Sequence, residues 1–531
     1  TASAKDVAVS NKYIDAITLV NAIDGSGGLA SNYQTPTLGA INAPVTISEK
    51  IVGLSASRIY DGSINLSGSD LTITTGVGSE TLNYSGATAS SKDVVVSNKY
   101  IDAITLVDAT DGTGGLASNY KIPALDASNA PVVITEKVVS LSASKIYDAG
   151  VDLAGYVTLI TGVGSETLNY SGATASSKDV AMSNKYIDNI TLENSLDGSG
   201  GVASNYQIPI LDPIKAPVTI NEKTVSLSAE RIYDGTMDLV GTDVRITTGV
   251  GSETLSYRGA RSSSKDVAAS NKYIDNISLE NAIDGSGGLV TNYKLPTLNA
   301  GNSPVTINPK TVGLFAERIY DGTIDLTESD VVITTGVGGE TLTHIGSTSS
   351  SKDVAVANKY IDTISLTDAV DGSGGLASNY NLPSLDSINA PVSITEKTVG
   401  LSASRIYDGT ADLTGTDVTI TTGIGIENLT HSGTISSSKD VAVANKYINA
   451  ITLRAATDGS GGLDSNYKLP SLDSVNAPVT ISRKTVNLSA NKIYDADMDL
   501  TGYVTLNTGV GSETLSYRGA RSSSKDVAAS N

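Results

Sequence analysis

The sequence contains no cysteine and no tryptophan, and it has one phenylalanine and two histidines among 531 residues. Without cysteine, the chain forms neither a disulfide framework nor a thiolate metal site. Because His344 and His431 are the two histidines, most copies of any repeated unit lack the base of a Ser-His-Asp site. No apolar run reaches the roughly 18 residues that a membrane-spanning helix needs. We therefore expect no membrane span in this segment and no enzymatic activity.

Positive charge is scarce relative to negative charge. The chain has 36 lysines and arginines against 56 aspartates and glutamates, which gives a net charge of −20 spread along its length. An excess of this sign argues against nucleic acid and anionic membranes as partners, because both are themselves negatively charged. It favours a soluble chain whose copies repel one another.

An internal repeat dominates the sequence. Its clearest copy reads NAPVTISEKIVGLSASRIYDG at 42–62 and returns along the whole chain. The lysine that opens each copy recurs with separations of 87, 86, 87, 87 and 87 residues, at Lys50, Lys137, Lys223, Lys310, Lys397 and Lys484. A period of this length fits one small domain per repeat better than one rung of a solenoid.

We predict five complete domains between two partial ones. The partial domains span 1–49 and 484–531, and the first to fifth complete repeats span 50–136, 137–222, 223–309, 310–396 and 397–483. TASAKDVAVSN at 1–11 is in phase with RSSSKDVAASN at 521–531, so both ends fall inside a domain. We expect a window of a longer repetitive chain. The alternative is that the two partial domains complete each other between molecules.

Each repeat is predicted to be mostly β. In the first repeat Val52, Leu54 and Ala56 alternate with polar residues, and Asp70–Thr75 alternates and is rich in β-branched residues. Between them, Asp61-Gly62 is expected to form a type I′ hairpin turn. We expect about six to eight short strands per repeat. The predicted fold is all-β, a linear tandem array of ~87-residue β domains forming a rod.

The joint between repeats is predicted to be short. The exit strand, with Val45 and Ile47, is followed by Ser48, Glu49 and Lys50 before the next strand begins. Two or three residues leave little slack, so we expect neighbouring domains to be held end to end. The principal partners of each repeat are then its neighbours in the same chain.

Tyrosine supplies 24 of the aromatic residues. Most copies keep it at four positions, which in the first repeat are Tyr60, Tyr84, Tyr100 and Tyr120. A tyrosine buries its ring while its hydroxyl reaches water or a carbonyl, which suits a thin domain. Because the two histidines replace the tyrosine at the Tyr84 position, we interpret that site as half exposed.

The DGSGG segment at 24–28, which recurs in each repeat, is either a plain turn or a calcium loop. Calcium takes about six to eight oxygen ligands, usually from several closely spaced carboxylates. Here one aspartate is followed by four residues without another, so a calcium site would need help from Asp15 or Asp6. We expect a plain turn and no cofactor, with calcium as the alternative.

The opening lysine and a recurrent glutamate are the other candidates for chemistry. A buried Lys50 beside Asn119 or Asp93 would allow an intramolecular isopeptide bond, but we expect its stem to pack at the joint while its amine reaches water. The glutamate of the turn that reads GSET in most copies is expected to be solvated and not catalytic; its copies are Glu80, Glu166, Glu253, Glu340, Glu427 and Glu513. No catalytic, cofactor-binding or metal-binding residue is assigned.

Short words recur in a constant order at the fixed period: IYDG at 59–62, ASNY at 117–120 and VVIT at 132–135. In this order the whole chain resembles YDG-type repeats, which are similar to the "mostly beta-grasp" repeats of very large bacterial surface adhesins of the filamentous-haemagglutinin kind. The resemblance implies an extracellular or cell-surface location, a rod-like stalk and no enzymatic activity. Asp148-Ala149 and Asp495-Ala496 depart from the YDG word, which makes glycine at that turn a structural preference.

The expected function is therefore structural, namely a stalk or fibre segment that gives length and stiffness, with like chains also associating in a fibre or bundle. One alternative is a multivalent module that binds glycans or a receptor along its length. Another is a self-polymerising filament subunit, joined by strand donation between the partial domains.

Overall fold

The computed structural model describes residues 1–527 and is all-β, which confirms the predicted fold class of repeated β units. Its regular structure consists of strands and three-residue 3-10 turns. Within the described range, no helix is long and apolar enough to cross a membrane. Residues 528–531, the last four of the predicted partial domain 484–531, lie outside the described residues, as does the end of the phase match at 521–531.

Seven strands build the first repeat, and they agree with the predicted number. They are β1 (Lys50–Ile51), β2 (Gly53–Ile59), β3 (Leu71–Thr74), β4 (Asn83–Ala89), β5 (Ile101–Val107), β6 (Tyr120–Lys121) and β7 (Val132–Thr135). A 3-10 turn at Gly68–Asp70 leads into β3, and another at Ala117–Asn119 leads into β6.

The same strand set recurs in each of the next four repeats. The second repeat has β8 (Lys137–Val138), β9 (Ser140–Ile146), β10 (Val157–Ile160), β11 (Asn169–Ala175), β12 (Ile187–Glu193), β13 (Tyr206–Gln207) and β14 (Val218–Asn221). The third has β15 (Lys223–Thr224), β16 (Ser226–Ile232), β17 (Val244–Thr247), β18 (Ser256–Ser262), β19 (Ile274–Glu280), β20 (Tyr293–Lys294) and β21 (Val305–Asn308).

The fourth repeat has β22 (Lys310–Thr311), β23 (Gly313–Ile319), β24 (Val331–Thr334), β25 (Thr343–Ser349), β26 (Ile361–Thr367), β27 (Tyr380–Asn381) and β28 (Val392–Thr395). The fifth has β29 (Lys397–Thr398), β30 (Gly400–Ile406), β31 (Val418–Thr421), β32 (Thr430–Ser436), β33 (Ile448–Arg454), β34 (Tyr467–Lys468) and β35 (Val479–Ser482). After it come β36 (Asn487–Ala490) and β37 (Val504–Asn507). Further 3-10 turns lie at Ala30–Asn32, Ala203–Asn205, Val290–Asn292, Ala377–Asn379 and Asp464–Asn466.

Three small sheets make up the first repeat. In the largest, β2 lies between β3 and β7 and is antiparallel to β3 but parallel to β7. The β4–β5 ribbon is antiparallel and bulged, and β1 pairs in parallel with β6. Isolated bridges of Tyr100 with Pro131 and of Asn65 with Thr88 join the ribbon to the rest. The core therefore lies between the central sheet and the ribbon.

The alternation predicted for β2 is observed. Val52, Leu54 and Ala56 are at most 4% exposed, whereas the residues between them face solvent. Ile101 of the ribbon and Val132 of the exit strand are also buried. Burial of aliphatic side chains of this size stabilises by about 1.5–3 kcal/mol each, so this inward face is what holds the repeat together.

The connection from β2 to β3 is not the predicted type I′ hairpin. Pairing of the two strands ends at Ala56 and Leu71, so a long segment, and not a two-residue turn, joins them. A type I′ turn needs positive φ at both central residues. Gly62 has a φ of 82°, but Asp61 is not among the residues with positive φ. The Asp-Gly step ends β2 and starts a wide loop.

A buried cation on the inner face of β2 organises this loop. In the first repeat the guanidinium of Arg58 donates to the carbonyls of Ser63 and Asn65. In the second repeat Lys145 takes the place of the arginine, and Ala149, with a φ of 65°, takes the place of the glycine. The segment 484–531 has the same lysine and alanine. The loop therefore has two versions, one with arginine and glycine and one with lysine and alanine.

The joint between the first two repeats is shorter than predicted. Glu136 alone separates β7 from β8. The chain enters the first repeat through β1 and β2 and leaves it through β7, and β2 and β7 are parallel neighbours in one sheet. Tyr60 N donates to Thr135 O over 2.8 Å at the end of this pairing. Entry and exit strands are thus bonded directly to each other.

The described chain divides into two compact units. One comprises Thr1–Leu227, Ile246–Arg258 and Ser278–Thr297, and the other comprises Ser228–Arg245, Gly259–Ile277 and the chain from Leu298 onwards. The division passes through the third repeat. Each boundary between consecutive repeats therefore lies wholly within one unit.

The Ala149 turn should be strained. Replacing Ala149 with glycine relieves a left-handed alanine, worth about 1–2 kcal/mol, and costs about 0.4–1 kcal/mol of backbone entropy. We expect a net stabilisation of about 0.5–1 kcal/mol. Slower hydrogen exchange of the Tyr147 amide, which bonds to Asn221 O over 2.9 Å, would report it.

The matched control for that change is Gly62→Ala at the equivalent turn of the first repeat. It should destabilise by about 2 kcal/mol or more, because alanine is strained at positive φ and a Cβ there would lie 2.7 Å from Val163 Cγ1. Faster exchange of the Tyr60 amide would show it. Equal behaviour of the two variants would contradict the proposed strain.

Candidate functional site: the junction between repeats

A cluster of polar side chains lies at the boundary between consecutive repeats. The first repeat contributes residues from the end of β2 and from the loop that follows β4. The second repeat contributes the turn after β10 and the 3-10 turn that leads into β13. At the first boundary the set comprises Tyr60, Lys92 and Asp93 on one side and Val163, Glu166, Asn205 and Tyr206 on the other.

Glu166 is at the centre of this junction. Its Oε1 accepts hydrogen bonds from the hydroxyl of Tyr60 at 2.9 Å and from Lys92 Nζ at 3.1 Å. Its Oε2 accepts from the hydroxyl of Tyr206 at 2.6 Å. The carboxylate side chain is 10% exposed. Because two of the donors belong to the preceding repeat and one to its own, the carboxylate ties the two repeats together.

The two tyrosine rings of the junction also touch. The centroids of Tyr60 and Tyr206 are 5.4 Å apart at an interplanar angle of 77°, the edge-to-face arrangement that aromatic pairs favour. Lys92 Nζ lies 5.9 Å from the Tyr60 centroid. An aromatic pair of this kind contributes about 0.5–1.5 kcal/mol beyond the area that it buries.

A second contact lies beside the first. Asn205, fully buried at the end of its 3-10 turn, donates from Nδ2 to Asp93 Oδ1 over 2.8 Å. In return, the backbone N of Val94 donates to Asn205 Oδ1 over 2.8 Å. One amide side chain thus satisfies both a carboxylate and a backbone group of the neighbouring repeat, which fixes the loop that carries Lys92.

The same kinds of contact recur at other boundaries. The tyrosine–glutamate bonds are Tyr147–Glu253, Tyr233–Glu340, Tyr320–Glu427 and Tyr407–Glu513. The asparagine–aspartate bonds are Asn119–Asp6, Asn292–Asp179, Asn379–Asp266 and Asn466–Asp353. Edge-to-face ring pairs recur as Tyr147–Tyr293, Tyr233–Tyr380 and Tyr320–Tyr467.

The glycine of the YDG word also belongs to the junction. A Cβ at Gly62 would lie 2.7 Å from Cγ1 of Val163 in the next repeat. The same close approach recurs at Gly235, Gly322 and Gly409, at 2.6, 2.5 and 2.4 Å. The tyrosine and the glycine of this word therefore both face the next repeat.

Burial and hydrogen bonding shift the pKa of the Glu166 carboxyl group in opposite directions. Burial by itself would raise its pKa, but hydrogen bonds from Tyr206, Tyr60 and Lys92 hold that pKa below its ordinary value. Burial and the adjacent carboxylate raise the pKa of Tyr60 and of Tyr206. The bond to Glu166 raises the pKa of Lys92. The junction is therefore held with the glutamate ionised and the tyrosines neutral.

The prediction that the recurrent glutamate is solvated is wrong at this boundary. Glu166 N bonds to Val163 O over 3.0 Å, and the turn that this bond closes directs the carboxylate into the boundary with the preceding repeat. The expectation that tyrosine hydroxyls reach water or carbonyls holds for Tyr84, which donates to Gly68 O at 3.2 Å. It is wrong for Tyr60 and Tyr120, whose hydroxyls donate to carboxylates.

The two histidines differ in burial. His344 is 7% exposed, so the half-exposed interpretation is wrong there, whereas His431 is half-buried as predicted. Each Nδ1 lies 2.6 Å from a hydroxyl three residues later, that of Ser347 or Thr434. These local bonds replace the tyrosine-to-carbonyl bond of the other copies.

The candidate calcium residues do not come together. Asp24 accepts a bond from Ser26 N at 3.0 Å within its own turn, and Asp6 pairs with Asn119 at the next boundary. In the first repeat, bonds from Thr113 and Thr81 lower the pKa of the equivalent Asp111 to about 2. Across 1–527, no three histidine or acidic residues are grouped as metal ligands. A calcium site remains an alternative prediction.

The two partners proposed for an isopeptide bond with Lys50 take part in the junctions. Lys50 is exposed, and its former candidates are engaged elsewhere: Asn119 with Asp6 and Asp93 with Asn205. Sequence reasoning missed Lys92 and Asn205. Their recurrence in every copy was a signal, but recurrence does not distinguish a contact within a repeat from a contact between repeats.

Removing the central carboxylate should loosen the first boundary. Glu166→Gln leaves Lys92 without its anion and weakens two tyrosine bonds, so we expect a local loss of about 2 kcal/mol. The Val94 amide, which bonds to Asn205, should then exchange roughly 30-fold faster.

The control is Glu136→Gln, which removes an exposed carboxylate from the joint itself. An exposed charge contributes about 0–1 kcal/mol, so exchange of the Val94 amide should stay nearly unchanged. If both variants accelerate exchange equally, the junction does not depend on Glu166.

The junction should have a defined pH range. The pKa of Glu166 lies below its ordinary 4.5, so its contribution is present above about pH 4.5 and is lost as pH falls through the folded pKa. The pKa of Tyr206 lies above its ordinary 10.0, so its contribution is present below pH 10 and is lost as pH rises through the folded pKa. The melting temperature of the chain, measured by calorimetry, should therefore decrease as pH falls below about 4.5 and as pH rises above about 10.

Below about pH 4.5, the double variant Glu166→Gln with Glu340→Gln should have a melting temperature that depends less on pH than that of the parent chain. Glu340 is included because hydrogen bonds from tyrosines and a lysine lower its pKa as they lower that of Glu166. The control is Glu136→Gln. If the melting temperature of the double variant fell as steeply with decreasing pH as that of the parent chain, these two glutamates would not be the cause of the acid destabilisation.

Comparison of this chain with protein-family models, with curated proteins and with solved structures found no match. The resemblance to YDG-type adhesin repeats therefore remains a prediction from the sequence words. What identifies the chain at this point is its own architecture: an all-β tandem repeat in which a carboxylate of one repeat is bound by its neighbour.

Proposed function

We propose that this chain is a load-bearing structural segment of a secreted bacterial adhesin or extracellular filament. Its task is to provide length and stiffness between a cell surface and whatever the filament reaches. The observation that carries the proposal is the recurrent junction, in which Tyr60, Lys92 and Tyr206 converge on Glu166. A flexible tether between independent domains has no use for such clusters, which recur at Glu340 and Glu427.

The strand order supports a role under tension. Force on a tandem chain enters a repeat at the start of β2 and leaves at the end of β7. Since these strands are parallel neighbours, paired from Ala56 with Val132 to Ile59 with Thr135, the force acts along the strands. Their hydrogen bonds must then break together in shear and not one after another.

The joint supports stiffness. With Glu136 as the single residue between β7 and β8, the linker contributes almost no conformational freedom. The Glu166 cluster and the Asp93–Asn205 bond then fix the two repeats at separate points. Charge-assisted hydrogen bonds of this kind are roughly twice as strong as neutral ones. Tandem stability is accordingly a sum of repeat and neighbour contributions.

The occupied glutamate also supports a role without catalysis. A general acid or nucleophile must have access to a substrate. Glu166 is instead 10% exposed, with each carboxylate oxygen bound by a neighbouring donor. We propose that its role is adhesion between repeats.

Stretching single molecules of the chain 1–531 tests this function. Each complete repeat should unfold in one event, with a gain in length of roughly 28 nm, from about 3.6 Å per residue less a folded span of about 3.5 nm. We expect five such events, because the chain has five complete repeats. A smooth extension without discrete events would contradict the proposal.

The matched variant for this experiment is Ala56→Pro, which removes the bond from Ala56 N to Pro131 O, 2.9 Å long, between β2 and β7. We expect one of the five events to occur at lower force or to disappear, because proline cannot donate to the ladder. The other four serve as internal controls. Five unchanged events would show that the β2–β7 bonds do not bear the load.

A further inference from the structure

The outer face of the β3–β2–β7 sheet is not used by any contact described above. In the first repeat it presents Ser55, Ser57 and Ile59 from β2, Thr72 from β3 and Val133 from β7, all exposed. Ile59 is 59% exposed and Val133 is 54% exposed. This face is thus an open sheet surface of small hydroxyl and aliphatic side chains.

The position of the exposed isoleucine is the same in every complete repeat. Its exposure is 58–63% in the four further copies, Ile146, Ile232, Ile319 and Ile406. An isolated exposed aliphatic residue needs no explanation. Five at equivalent positions, each at the end of the central strand, make a regular feature of the surface.

Charge is distributed unevenly over these faces. In the first, second and fifth repeats, all of which are fully described, the outward residues of the three strands carry no charge. The third repeat carries Glu230 and Arg245 on this face, and the fourth carries Glu317. In a chain of net charge −20, three uncharged sheet faces are the surfaces on which a second copy approaches without like-charge repulsion.

The available area is sufficient for a specific interface. Seven residues in β2 and four in each of β3 and β7, at about 3.3 Å per residue with strands about 4.8 Å apart, give a face of roughly 240 Å² per repeat. Three uncharged faces offer roughly 700 Å² per copy, which lies within the range of about 600–1,000 Å² per partner that standard specific interfaces bury. One face alone falls short, so association requires several repeats to engage together.

We infer that these outer faces pair with the same faces of a second copy, so that chains associate laterally. Serine and threonine allow two sheets to approach to about 10 Å, and the isoleucine at the end of β2 supplies the apolar contact. This inference extends the proposed function, since lateral pairing stiffens a filament, and it depends on the repeats acting as a tandem array.

Sedimentation of the chain 1–531 over a range of concentrations tests the pairing. We expect reversible dimerisation that strengthens with added salt, because salt screens the repulsion between acidic surfaces. The decisive variant is Ser57→Glu with Ser144→Glu and Ser404→Glu. The third and fourth repeats carry glutamate at this same position, as Glu230 and Glu317, so the fold accepts it.

This triple variant should weaken the association constant at least tenfold. The control makes the same change of −3 in net charge at the end of the ribbon, by Val107→Glu, Thr367→Glu and Arg454→Gln. The second and third repeats have Glu193 and Glu280 at that position. The control should dimerise as the parent chain does. The reverse change, Glu230→Ser with Glu317→Ser, should strengthen dimerisation several-fold.

A chain that stays monomeric at all concentrations and salt levels would overturn the inference, as would equal weakening by the two triple variants. Binding of the parent chain to an insoluble polysaccharide without self-association would assign the face to a different occupant and would also overturn it. Stretching of single molecules is unaffected by either result. Failure of pairing can therefore be distinguished from failure of the load-bearing function.

Discussion

The bond between a glutamate of one repeat and a tyrosine of the preceding repeat is the constraint on which the rest of this structure depends. Tyr60 directly follows the central strand of its own sheet, so its buried ring packs in its own repeat while its hydroxyl reaches Glu166 across the boundary. Any change in the pairing of β2 would move that hydroxyl. The internal fold of a repeat and its attachment to the next are therefore not separable properties.

This coupling explains the structural role of each residue in the YDG motif. The tyrosine supplies the hydroxyl, the aspartate lies beside the buried cation of β2, and the glycine lets the backbone approach Val163. All three requirements meet within three residues because the strand ends there. In the second repeat, Lys145 and Ala149 are a coordinated replacement of cation and turn residue, and the tyrosine between them is kept.

The sequence predicts the part of the structure that depends on local pattern. Alternation of Val52, Leu54 and Ala56 identifies a half-buried strand, and the constant period identifies the repeating β unit. The prediction of a hairpin at Asp61-Gly62 was wrong because an Asp-Gly dipeptide indicates a turn but does not show which strands that turn joins. The prediction that Glu166 is solvated was wrong because its hydrogen-bond donors lie 40 to 106 residues away in the sequence, too far for a local sequence pattern to show them.

The division of charge between the core of the junction and the faces of the sheets follows from the same architecture. Acidic groups at the boundary are stabilised because each meets a donor from its neighbour, as Asp93 meets Asn205. Acidic groups on an open sheet face would have no such donor and would repel another chain. A tandem protein of high negative charge can therefore use its carboxylates for cohesion along the chain while leaving selected faces neutral. The association between chains inferred above and the cohesion along the chain should then respond differently to salt, because the boundary carboxylates are shielded from solvent and the acidic surfaces of two approaching copies are not.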